Sequence, residues 1–240
     1  MSETLSNTVR SNDRVATAAA LHVEVIADFV CPFCFIGKRH LNEALKAVQG
    51  PFDVSWNPFQ LNPEIPPEGL PFDVYLTKRF GSPANVEPVL EHLTEEGKLA
   101  GIQFRFDRIR HIPNTLSVHQ LMQHAETLGA DQGAIAEHLM SAFFEDGSNV
   151  GERGILIDIA KAHGISAKET GEAIGNDHIR QLVATREAQV RSSGLAGAPG
   201  YLINRRLLVV GAQSTDNLIN AFDRAMFGEG TDSLDSPALH

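Results

Sequence analysis

Apolar and polar positions alternate in two regions near the ends of this 240-residue chain and recur at helical spacing between them. Residues 21–29, Leu-His-Val-Glu-Val-Ile-Ala-Asp-Phe, alternate and are rich in β-branched side chains, which predicts a strand. From Cys31 to Val48 the apolar positions Phe35, Ile36, Leu41, Ala44, Leu45 and Val48 return every three to four residues. That spacing predicts a helix, and Gly50-Pro51 stops it. Strand character resumes over 52–61 before the Pro-rich run 62–71 turns the chain. A helix between two strands calls for parallel pairing.

Between about 73 and 193 the patterns are helical. Asp131 is placed to cap a helix whose inward face is Ala134, Ile135, His138, Leu139, Ala142 and Phe143. Ser166 and Glu169 form a capping-box pattern, and a further helix over 178–193 meets Gly194 as its stop. Two short strands, Tyr201 to Ile203 and Leu207 to Val210, then flank a tight Asn204-Arg205-Arg206 turn. A capped amphipathic helix over 214–226 turns Leu218, Ile219, Phe222 and Met226 inward. The fold class is α/β: a thioredoxin-like βαβ…ββα arrangement interrupted by a large helical insert. The expected organisation is a disordered tail (1–20), a discontinuous thioredoxin-like domain (21–70 and 194–228), the insert (71–193) and a polar tail (229–240).

Composition narrows the function classes. Hydrophobic residues at 42% and charged residues at 21% suit a globular core. Thirty acidic against 20 basic residues give a net charge of −10, with no long basic run, which argues against nucleic acid or an anionic membrane as partner. No run of 18 apolar residues suggests a membrane span. The first 20 residues lack a secretory pattern, so the expected location is cytoplasmic.

Two cysteines cannot build a disulfide framework for this length, and a reducing compartment opposes a permanent bridge. A bridge across three residues also closes too short a loop to remove much unfolded-state entropy. Cys31 and Cys34, by contrast, bracket Pro32-Phe33 in the first turn of a helix that follows a strand, the setting of redox Cys-x-x-Cys pairs. Free backbone N–H groups there favour an anion, so a thiol so placed ionises readily. Pro32 suits that turn because it has no N–H to leave unsatisfied. This assigns Cys31 as nucleophile and Cys34 as resolving thiol. A zinc site with His40 lacks a fourth ligand, and Phe35 stands where haem attachment needs His, so no metal is assigned. Ala198-Pro199, between Gly197 and Gly200 and just before a strand, is a candidate cis peptide beside the cysteine pair.

The stretches DFVCPFCFIGKRHLNEAL, PNTLSVHQLMQHA and GAPGYLINRRLLVVGAQSTDNLINAF together resemble the FrnE-like branch of the DsbA family of thiol-disulfide oxidoreductases, from about residue 22 to 226. The resemblance implies Cys31 as attacking thiol, Cys34 as resolving thiol and Pro199 as cis-proline, with Asn114, Thr115 and His119 of the insert approaching the site. Pro32, Phe33, Ala198, Pro199, Asn114, Thr115 and His119 are thus the candidate substrate-binding residues. Pro-Phe replaces the Pro-Trp common in this branch and the Pro-His of oxidising relatives, so a reductase or isomerase is expected rather than an oxidase. Gly200 stands where relatives often carry a larger residue. Of the neighbours, Asp28 reads as a hydrogen-bonded strand-end carboxylate before a proton relay, Lys38 and Arg39 as solvated helix charges, and His119 and His124 as polar groups between helices.

The expected partners are thiol- or disulfide-containing proteins, with glutathione or a thioredoxin-type system for recycling. Apart from glutathione as a redox co-substrate, no cofactor is implied. Two alternatives stand beside this reading. One is an enzyme like the kappa-class glutathione transferases and 2-hydroxychromene-2-carboxylate isomerases, which typically carry Ser near the position of Cys31. The other is a non-enzymatic redox-sensing or chaperone-like binding protein.

Overall fold

The computed structural model describes residues 21–228; the expectations for the tails 1–20 and 229–240 lie outside it. In chain order the elements are β1 (Leu21–Ala27), α1 (Pro32–Lys46), β2 (Phe52–Pro58), β3 (Leu70–Pro71), α2 (Phe72–Phe80) and α3 (Pro83–Leu99). β4 (His111–Ile112), α4 (Leu116–Thr127), α5 (Gln132–Phe144), α6 (Arg153–Ala162), α7 (Ala167–Ile174) and α8 (Asp177–Ser192) follow. β5 (Gly200–Ile203), β6 (Leu207–Val210) and α9 (Thr215–Phe227) complete the chain.

Four strands form one sheet in the order β2-β1-β5-β6. β1 and β2 are parallel, with Leu21 opposite Phe52 and Ala27 opposite Pro58, while β5 pairs antiparallel with both β1 and β6. This is the thioredoxin-like α/β fold with a large helical complement. β1 stops at Ala27, two residues before the expected end. There the Asp28 carboxylate takes the Phe29 and Leu61 N–H groups (both 2.8 Å) and draws the backbone out of the ladder. β2 ends at Pro58, which has no N–H to extend pairing.

The β5–β6 turn puts two non-glycine residues in the left-handed region, Asn204 at φ 49° and Arg205 at φ 54°. Asn204 is anchored to the start of β1: its N–H donates to His22 O and its Oδ1 accepts from His22 N, both at 2.8 Å. The capping box of α7 forms through Ser166 and Glu169, and Asp131 caps α5 through Ala134 N. On α5, Ile135, Leu139, Ala142 and Phe143 are buried, but His138 is exposed and Ala136 and Met140 take the inner face instead. His138 instead pairs with His163 at 3.3 Å.

One continuous core contains β-sheet residues (Val23, Val25, Tyr201), α1 residues (Phe35, Leu41) and insert residues (Leu121, Leu139, Phe143, Phe144). α9 packs on α1, β5 and β6, whereas α4, α5 and α8 reach β2. The two-stranded β3–β4 pair, unannounced by the pattern because each strand has two residues, ties the segment before α2 to the segment before α4. α2 differs from every other helix among the described residues: none of its residues is buried.

Candidate active site

α1 begins where β1 leaves the sheet, so its first turn sits at the carboxyl end of β1 and β2. Cys31 is the N-cap residue in extended backbone and Pro32 opens the helix. The Cys34 N–H donates to Cys31 Sγ at 3.3 Å, and the Cys31 thiol donates to Ala198 O at 3.8 Å. The Ala198–Pro199 peptide is cis. Two segments distant in sequence thereby meet at one sulfur: the first turn of α1 and the loop before β5. Cys31 and Cys34 are free thiols, each only 2% exposed, while Phe33 between them is 39% exposed.

Burial pushes the Cys34 thiol well above its ordinary range, reinforced by its hydrogen bond with Cys31 and by the charges of Cys31 and Asp28. Cys34 is therefore held protonated. Tyr201 is wholly buried next to the pair, and burial followed by the charges of Cys34 and Cys31 raises its pKa, so the phenol stays neutral. Its hydroxyl has no hydrogen-bond partner and lies against Gly37, one turn beyond Cys34.

Behind the cysteines lies a buried carboxylate. Asp28 accepts from two backbone N–H groups, as a hydrogen-bonded strand end should, and its Oδ1 is also 3.5 Å from His119 Nε2. Both side chains are almost fully enclosed, and the imidazole packs on Phe29 with ring centroids 5.3 Å apart. His119, on α4, thus faces the rear of the site. Asn114 accepts from Leu116 N and Gln60 Nε2 and donates to Ile65 O, so its side chain holds loop 59–65. Thr115 stands at the N-cap position of α4, without a side-chain cap bond, and is buried. The same loop is held from α8, where Glu187 accepts from Gln60 N and Arg191 donates to Gln60 O. His124 is half-buried, its Nε2 without a partner, and does not belong to this group.

Lys38 corrects a sequence expectation. It is 4% exposed, not solvated, and donates to Glu137 at 2.6 Å; Arg39 also bonds Glu137 and lies over the Phe35 ring. Burial lowers the Lys38 pKa, partly offset by Glu137. The pair pins α1 to α5. His40 is turned away from the cysteines, its Nδ1 2.8 Å from Gln213 O. Among the described residues no group of His, Cys, Asp and Glu is arranged to hold a metal ion.

Sequence reasoning passed over Tyr75, which is half-buried on α2; burial raises its pKa, partly offset by Asn62 and Arg79. It borders a cavity of about 190 Å³ also lined by Asn62, Ile65, Leu70, Lys78 and Arg79. The available signal was the aromatic with cations three and four residues later, which share one helix face.

A family model, the DSBA-like thioredoxin domain, matches residues 22–223. A curated Bacillus subtilis protein, YwbO, is 27% identical over 154 residues, 64% of this chain and 72% of that protein. Among solved structures, a probable DsbA oxidoreductase from Streptomyces coelicolor superposes with TM-score 0.80 at 23% identity, covering 90% of this chain and 94% of the other. The cytosolic disulfide reductase DsbM from Pseudomonas aeruginosa, solved with GSH, gives 0.58 at 19% identity, covering 85% and 95%.

Proposed function

The chain belongs to the DSBA-like thioredoxin domain family, and from that premise we propose that it is a cytoplasmic thiol-disulfide oxidoreductase of the FrnE-like branch, working as a protein disulfide reductase or isomerase. The observation that carries this reading is the asymmetry of the cysteines: both are buried, but the sulfur of Cys31 caps the helix and accepts the Cys34 N–H, whereas the Cys34 thiol is held protonated.

In the reducing direction the Cys31 thiolate attacks one sulfur of a substrate disulfide. A Cys31–substrate disulfide forms and the other substrate sulfur leaves as a thiolate. Cys34 then gives up its proton, with the Asp28 carboxylate as the buried acceptor in range, and attacks Cys31 Sγ. The Cys31–Cys34 bond forms, the second substrate thiolate leaves, and two electrons have passed to the substrate. The Ala198 carbonyl and cis-Pro199 lie beside that sulfur, where a bound chain would pass. Phe33 places no cationic ring between the cysteines, which favours reduction or isomerisation over oxidation. A thiol reductant of the glutathione or thioredoxin class returns the pair to the dithiol. DsbM, of the same fold, is described as a cytosolic disulfide reductase and was solved with GSH, which supports both the compartment and that class of reductant.

Insulin reduction and refolding of scrambled ribonuclease by the wild type and Cys31→Ser test this. Both activities are expected to vanish in the variant; turnover that survives refutes the assignment. Glutathione conjugation or chromene isomerisation independent of both cysteines would transfer the protein to the kappa-class reading. Redox-dependent capture of unfolded chains without turnover would make it a binding protein.

A further inference from the structure

A groove of about 800 Å³ opens between α2 and α3 over residues 104–107, and none of its lining residues belongs to the group around Cys31 and Cys34. Leu76 of α2, Val86 and Leu90 of α3 and Phe106 lie half-buried along it, and Phe104 closes the floor. Three rings hold Phe104 in place: Phe106, Phe144 and Phe35, with centroids 5.1, 5.2 and 6.3 Å away. The floor is therefore a fixed aromatic surface. α2 buries none of its residues, which leaves this wall without a cover among the described residues.

The rim carries one sign of charge. Asp73, Glu87, Glu91, Glu95 and Asp107 are exposed along it, and no Lys, Arg or His stands on the lining. Lys98 pairs with Glu95 and Arg105 with Asp107, both from outside the groove. Asp73, Glu87 and Glu91 take part in no ion pair among the described residues. Three uncompensated carboxylates thus border an apolar trough. On α3 the lining residues recur at helical spacing from Pro83 to Glu95, a stripe about 18 Å long, or about three turns of a facing helix. Both walls are helices and offer no strand edge, so a helix laid in the groove is the mode of recognition that fits.

We propose that this groove docks a cationic amphipathic helix of a partner protein, its apolar stripe on Leu76, Leu90, Phe104 and Phe106 and its Lys or Arg residues against Asp73, Glu87 and Glu91. Charge complementarity selects this occupant. A second copy of the chain brings a net charge of −10 to an acidic rim, and residues 1–20 balance Arg10 and Arg14 with Glu3 and Asp13. Apolar burial supplies the hold, and the carboxylates fix the partner's sign and orientation.

The probe is a fluorescein-labelled, cysteine-free peptide of about 14 residues, with Leu at helical spacing and Lys on the flanks. Its binding to the full chain is read by fluorescence anisotropy, beside one control with every Lys changed to Glu and one of scrambled order. The lysine peptide is expected to bind at least about 10-fold more tightly than either control. Glu87→Gln with Glu91→Gln should weaken it about 5-fold, and salt at about 0.5 M should remove most of that difference. Leu90→Gln should weaken it about 10-fold while the helical circular dichroism stays unchanged. Equal binding of the lysine peptide and either control overturns the proposal. So does binding that the Glu87, Glu91 and Leu90 variants leave unaltered. A dimer in sedimentation that Leu90→Gln dissociates makes a second copy the occupant, and tighter peptide binding in full-length Arg10→Glu with Arg14→Glu makes residues 1–20 the occupant. Either result overturns the proposal as well. No arm depends on turnover at Cys31, so this surface and the redox reading stand or fall separately.

Discussion

Gly37→Ala should report the tightest packing around the active site. An added Cβ would collide with the Tyr201 hydroxyl and would lie 3.3 Å from Pro199 Cγ and 3.5 Å from Tyr201 Cζ. Only the first is an impossible contact, and the ring cannot retreat because Tyr201 is fully enclosed in β5. Overpacking of this kind costs about 1–3 kcal/mol, against about 1 kcal/mol that alanine gains over glycine inside a helix. Tyr201→Phe removes the oxygen that clashes and keeps the ring. That hydroxyl has no partner, so its removal should by itself be neutral or stabilising by about 1–3 kcal/mol. In the phenylalanine background Gly37→Ala should then become neutral or mildly stabilising. Urea denaturation of the four proteins gives the cycle, with an expected coupling of about 1–3 kcal/mol. Additivity within about 0.5 kcal/mol would refute the contact. A Tyr201→Phe variant that loses more than about 1 kcal/mol would show that the hydroxyl has a partner after all.

Two further outcomes follow from the charges. The raised pKa of Cys34 and its burial predict that iodoacetamide, followed by peptide mapping, modifies Cys34 only well into the alkaline range; ready labelling of Cys34 at neutral pH would contradict the protonated-thiol assignment. Glu137→Gln removes the carboxylate shared by Lys38 and Arg39 and should cost about 2 kcal/mol at neutral pH, a buried-pair loss reduced because Glu137 is about one-third exposed. Because the folded-state pKa of Lys38 lies below its unfolded value, folding releases a proton between the two, and stability rises with pH in that window. The cost of the variant should therefore shrink toward about pH 10, where the amine can be neutral; a cost independent of pH would show that the ammonium is not the group left stranded.

Much of the thioredoxin-like frame was legible because its elements announce themselves locally. The alternation over residues 21–27, the helical spacing after Cys31, the capping box at Ser166 and Glu169, and the Ser214 cap each depend on neighbours a few residues away. The rest of the site was not legible for the same reason. Lys38 looks like a surface charge until Glu137, 99 residues distant, closes over it. Asp28 and His119 belong to different elements, and no spacing relates them. β3 and β4 are two residues each, too short for a period to show.

The order of elements, the helix-capping position of Cys31 and the chemistry open to a Cys-x-x-Cys pair were determined by the sequence itself, since caps, periods and backbone donors act within a turn or two. Tertiary structure decided what surrounds the sulfur. It set the Ala198 carbonyl against Cys31, enclosed Cys34 so that its proton is held, put the Tyr201 hydroxyl on Gly37 and faced Lys78 and Arg79 into a cavity beside Tyr75. Burial and charge depend on which distant segments share a space, and that follows from how β5 returns to β1 and how the helical segment folds back over the first turn of α1. The local pattern therefore specifies the cysteine pair and its place at the helix start, whereas the packing specifies what encloses each sulfur.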